Sequence, residues 1–266
     1  MTALTAGVIR HDRRQPLFGG ANRTLLRYEL HRRFNRQTAA FTLLLPAVLY
    51  LALFHTAPQH ATMPHGNFAA WMMIGLAVYG AAMAATSSAA TISVERSTGW
   101  TRTIALTPLT PTGYILIKVL SSMAMAAAPV GIIGVLGALT GARADAEVWV
   151  TALAAAWLGS AIFAAFGIVI GLAVKPEIVL HLPGLAMTAL AFLGNLFIPL
   201  SGTMLTVSRF TPMYGISTLA RHALTDGYSF AGEHSSVTGA VFNLVAWFAV
   251  FSLLAIRWFA KSTVRQ

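Results

Sequence analysis

Glu95 and Arg96 are followed within a few residues by Gly99, Trp100, Arg102, Pro108 and Pro111, in the stretch SVERSTGWTRTIALTPLTPTGYILIKVL over 93–120. Opposite charges side by side, next to an indole, suit docking rather than bond making. Charges at an interface orient a partner more than they hold it, and a tryptophan is a frequent anchor. The two prolines fix φ and stiffen the exit from the turn. Such a turn between two apolar runs reads as a rigid handle for a soluble partner. The plainer alternative is a solvated turn whose tryptophan rests at a membrane surface.

Bond-making chemistry is not indicated. No G-x-x-x-x-G-K-[ST] occurs, so the chain has no phosphate-cradling loop of its own. There is no H-E-x-x-H and no nucleophile elbow, and no catalytic residue is expected. His55, His60 and His65 recur every five residues, which would turn successive side chains by about 140° on a helix. Pro58, Pro64 and Gly66 favour an irregular loop there instead, and no metal site is expected. Cysteine is absent, which excludes disulfides and thiolate metal sites. Lys118 lies at the foot of an apolar run, where its stem can snorkel to the surface. The other polar candidates are Thr86, Ser87 and Asn195. With Met123, Phe192 and Phe197 they could line an adaptable apolar path, or simply pack helices.

The elements that must position these residues are membrane spans. The chain is 56% hydrophobic and 10% charged, with a mean hydropathy of +0.69, where soluble domains carry roughly 25% charge. Runs near the ~20 apolar residues that cross a bilayer occur at 38–54, 68–92, 114–139, 148–174, 178–200 and 237–259. The expected class is an all-α polytopic membrane protein with six transmembrane helices. None of the six contains Asp or Glu, so no proton or sodium relay is evident and the energy must come from elsewhere. Lys and Arg collect in short cytoplasmic loops. Placing both termini in the cytoplasm puts there all of the 18 basic residues except Arg143, Arg209 and Arg221. The net charge of +10 thus belongs to the membrane edge and its anionic lipids, not to nucleic acid.

Residues 1–21 read as a flexible basic tail and 22–36 as an interfacial amphipathic helix capped by Asn22. The segment 201–236 is too apolar for an ordinary loop and too polar for a span. It reads as one or two short amphipathic helices broken near Pro212, forming an extracytoplasmic hairpin. Pro46, Pro129 and Pro183 fall inside spans and predict kinks. Gly167 and Gly171 form a G-x-x-x-G pair that lets backbones approach, either within one subunit or between two.

The whole layout past residue 20 resembles the permease subunits of ABC transporters of the second export class, in the daunorubicin-resistance-like group. The carrying residues are Glu95-Arg96, Gly99, Arg102 and Leu106 to Leu109, then Tyr114 and Lys118. A second set runs from Phe197 through Pro199 to Phe210 and Pro212, continuing to Arg221 and Asp226-Gly227. The resemblance implies that 93–111 is a coupling helix seated on an ATPase, and that 22–36 is a connecting helix. It also implies an extracytoplasmic gate at Pro199, Phe210, Pro212 and Arg221. The implied partners are two copies of an ABC ATPase holding ATP and Mg²⁺, a second permease (identical or a sister), membrane lipids and a small amphipathic cargo. The implied setting is a bacterial plasma membrane. Polysaccharide export, a stand-alone secondary transporter and a non-transporting scaffold are the alternatives. Replacing Glu95 and Arg102 together by alanine is expected to uncouple the partner without unfolding the chain.

Overall fold

The computed structural model describes residues 20, 23–33, 36–54, 61–100, 103, 107, 109–229 and 232–264. Gly20 aside, the expected tail lies outside them, as do Asn22, His55, His60, Arg102, Leu106 and Pro108. The helices are α1 (Arg23–Arg33), α2 (Arg36–Phe54), α3 (Phe68–Ala90), α4 (Ile92–Ser97), α5 (Pro111–Thr140) and α6 (Ala146–Ala173). They continue with α7 (Pro176–Val179), α8 (Leu182–Leu193), α9 (Gly202–Ser208), α10 (Pro212–Thr225) and α11 (Val237–Val264). A small antiparallel hairpin, β1 (Thr62–Met63) with β2 (Gly66–Asn67), precedes α3.

Local signals explain where the helices begin. Asn67 caps α3 by accepting from Ala70 N at 3.0 Å. Thr110 caps α5 and Thr211 caps α10, each just before a proline. Proline is favoured in the first turn because its missing N–H would have no partner there.

Among the described residues, four helices are long and apolar enough to cross a membrane: Phe68–Ser97, Pro111–Thr140, Ala146–Ala173 and Val237–Lys261. Two shorter apolar stretches, Leu44–Leu53 and Leu182–Leu193, occupy the first and fifth expected spans. The fifth is broken. Pro176 and Pro183 each open a helix instead of kinking one. Gly194 closes α8, and Asn195 follows with φ 60. At 1.5 Å per residue the 12 residues of α8 reach about 18 Å, short of a ~30 Å hydrocarbon core.

The buried centre is α3, which packs along α5 and α6. An apolar helix rich in Ala and Gly can be enclosed on all sides because backbones approach it closely. A Cβ on Gly167 would sit 2.3 Å from Thr86 O, and one on Gly171 would sit 2.4 Å from Ala90 O. The G-x-x-x-G pair therefore serves packing within the chain. Pro46 and Pro129 both press on Gly80, drawing α2, α3 and α5 together.

Of the four long helices, α3, α6 and α11 run one way along the bundle and α5 runs back, so the bundle has two unlike ends. One carries α1, α4, α7 and the start of α5. The other carries the β hairpin, the α5–α6 loop, α9 and α10.

Candidate functional site

At the first end, α4 is the expected coupling turn, and its charged side chains turn inward. Glu95 is 5% exposed and Lys118 fully buried. Glu95 accepts from both Lys118 Nζ and the Tyr114 hydroxyl. Lys118 also donates to Glu29 of α1 at 3.2 Å and lies over the Tyr114 ring. Tyr114 in turn stacks on Phe259 of α11 at 4.6 Å. Two sequence expectations are corrected here. Lys118 does not snorkel, because two carboxylates hold it inside. Those carboxylates are buried even though the six spans expected from sequence contain none, because α1 and α4 supply them.

The rest of α4 is fastened to the end of α6. Ser93 Oγ donates to Val174 O at 2.8 Å, and Arg96 Nη1 donates to Leu172 O at 2.9 Å. A cation there also meets the negative end of the α6 dipole. Gly99, at φ +77, lets the chain leave α4 sharply, since residues with a Cβ avoid that region. Trp100 is half-buried and stacks on Tyr28 of α1 at 5.8 Å. What α4 leaves outside is Val94, Ser97 and Thr98. Glu95→Ala would take away one of the two carboxylates that hold the Lys118 charge inside, so the double replacement with Arg102 is expected to cost stability as well as coupling.

The remaining candidates are spread over several elements. Thr86 is buried, donating to Phe163 O at 3.1 Å and contacting Met187 Sδ at 3.3 Å. Ser87 is half-buried. Met123 is half-buried on α5, its carbonyl accepting from Trp157 Nε1 at 2.9 Å. Phe192 is 47% exposed and meets Phe197 edge-on, and Phe197 meets Tyr79 in the same way.

At the opposite end, α9 and α10 form the expected broken hairpin. Pro212 is buried in the first turn of α10, whereas Pro199 and Phe210 are exposed. Arg221 is the pin of this end. It is buried, and its guanidinium stacks 3.6 Å from the Trp71 ring centre. Its Nη1 donates to Asn195 O at 2.9 Å and Ser217 Oγ at 3.0 Å. Its Nη2 donates to Leu196 O at 2.7 Å and Trp71 O at 3.4 Å. The planar fork thus joins α10 to α3 and to the frayed end of α8. Asn195 supplies its carbonyl to this joint while its side chain accepts from Leu200 N at 2.7 Å. Asn195, Pro199 and Arg221 share one cavity with Trp71 and Tyr228.

Glu29 was missed by sequence reasoning, although a signal for it exists. It stands four residues after Leu25 and three after Leu26, on the half-buried side of an otherwise basic helix. The contacts that His65 makes at the α10 end had no such signal.

The model of one protein family, described as ABC-2 type transporter, matches residues 21–220. No curated protein matches the chain. The matched range takes in the Glu95 turn and the first part of α10, up to Ala220.

Proposed function

Because this chain belongs to the ABC-2 type transporter family, as a transmembrane subunit of an ABC-type exporter, we propose that a separate ATPase docks at the α4 end and drives the bundle through α4. The buried Glu29–Lys118–Glu95–Tyr114 cluster carries this reading. It bonds α4 to α1 and α5, while Ser93 and Arg96 bond it to α6. A force on α4 therefore reaches α1, α5 and α6 as a rigid-body motion, because packed interiors deform little. Glu95 and Arg96 act here as internal fasteners. The outward residues Val94, Ser97 and Thr98 meet the partner. ATP and Mg²⁺ reside on the ATPase, two copies of which serve two permeases, identical or sister.

Between the permeases runs the cargo path. The outward face at α8, with Leu185, Phe192 and Ile198 exposed, supports a second subunit or an apolar cargo there. The cargo class is an amphipathic drug, antibiotic or lipid-like molecule, moved across a bacterial plasma membrane. The segment from Pro199 to Arg221 acts as the extracytoplasmic gate.

Purification from native membranes in mild detergent, followed by mass spectrometry, tests the assembly. A P-loop ATPase in equal copy number is expected, and its reproducible absence from a folded preparation would overturn the reading. Val94→Glu adds an unpaired charge to the exposed face of α4. It is expected to weaken ATPase binding about tenfold or more with an unchanged melting temperature. Full retention of the ATPase by that variant would move the docking face elsewhere.

A further inference from the structure

Three segments distant in sequence converge on one imidazole at the α10 end of the bundle. His65, between β1 and β2, donates from Nδ1 to Asp145 Oδ2 at 2.9 Å and from Nε2 to Asp226 Oδ1 at 3.1 Å. Asp145 precedes α6, and Asp226 ends α10 in the left-handed conformation, φ 51. An ionised carboxylate only accepts, and a neutral imidazole has a single N–H to give. Both bonds together therefore require the imidazolium. Loss of its proton leaves one nitrogen lone pair facing a carboxylate.

The backbone holds His65 in place between its two partners. Asp145 N donates to His65 O at 3.2 Å, His65 N to Leu224 O at 3.3 Å, and Asn67 N to Arg143 O at 2.9 Å. We propose that His65 is a proton-operated latch, fastening the end of α10 to the α5–α6 loop when protonated and releasing it when neutral. The latch itself does not depend on the functional reading above, which decides only that the pH sensed is extracytoplasmic.

The groups around the latch favour its closed form. Glu147 in the first turn of α6 and His222 in the last turn of α10 line a cavity of about 270 Å³ together with His65, Asp145 and Asp226. Arg143 is the charged neighbour in the same loop. The Asp145 hydrogen bond, and then the Asp226 charge, hold His65 above the usual 6.5. A group raised in the folded state stabilises it fully below its unfolded value. That contribution fades as pH climbs through the folded value, so release belongs above 6.5. Release matters because α10 also carries Arg221, the pin to α3 and to the end of α8.

Hydrogen exchange on the purified full chain, from about pH 5.5 to 8.5, reads the latch directly. After correction for intrinsic rates, opening of 141–147 and 222–228 in the wild type is expected to rise about two- to fivefold across that range, the size of an exposed ion pair. His65→Gln should be open at every pH and flat. Asp226→Asn should show a smaller rise, and His222→Gln should keep the wild-type profile. A wild-type pH profile in His65→Gln would overturn the latch. So would its loss in His222→Gln alone.

Discussion

A lysine enclosed by two carboxylates and a tyrosine constrains its own replacement. Lys118 is fully buried, and so is Glu29 at 1% exposure. Removing the ammonium would leave both carboxylates facing each other in a low dielectric, the situation in which breaking a buried pair is most destructive. Lys118→Met is accordingly expected to cost about 3–5 kcal/mol, read as a large drop in the melting temperature of the detergent-purified protein. Combining it with Glu29→Leu and Glu95→Gln should recover most of that loss, because the amide oxygen that Glu95→Gln introduces still accepts from Tyr114. Equal melting of the single and triple variants would mean that the charges are not coupled. Arg221 solves a similar problem differently. Its partners are carbonyls, a hydroxyl and the Trp71 ring, a set that a planar guanidinium can serve at once and an ammonium cannot.

Among the elements, α3 depends on small residues in its neighbours. Gly167 and Gly131 look alike in sequence but meet different surroundings: a Cβ at Gly167 strikes Thr86 O, while one at Gly131 has nothing within 4 Å. Gly131→Ala should therefore be neutral or stabilise by up to about 1 kcal/mol through helix propensity. Gly167→Ala should destabilise by about 1–3 kcal/mol through overpacking, with thermal melting as the measure. Destabilisation by both in equal degree would place the α3–α6 contact wrongly. Apolar runs and proline or glycine punctuation made the long helices and the break at Pro212 readable from sequence. The break in the fifth span was not, because Pro183 reads equally as a kink or a start until the helix before it is known to end at Val179. The inward turn of Glu95 was equally hidden. Its partners, Tyr114 and Lys118, lie 19 and 23 residues after it, Glu29, which shares Lys118, lies on α1 far before it, and no local pattern links them.

For the molecule as a whole, charge divides along the bundle axis. The α10 end holds Arg143, Arg209 and Arg221 against Asp145, Glu147, Asp226 and Glu233, a net of −1. By position in the sequence, every other charged residue falls on the side of α4, which carries +11 against that −1 to give the chain's +10. Even the three arginines at the α10 end are partly engaged. Arg209 pairs with Glu233 at 2.8 Å, and Arg221 is buried. Positive segments resist translocation, so the α4 end should face the cytoplasm. That arrangement is also the one an ATPase bound at α4 requires. A chain with no cysteine makes this directly measurable, since one introduced thiol is the only target. Ser236→Cys, exposed before α11, should react with a membrane-impermeant maleimide in intact cells. Ser97→Cys, exposed at the end of α4, should react only after permeabilisation. The reverse pattern would put α4 on the outer face, which rules out an ATPase there and makes the His65 latch a sensor of cytoplasmic pH.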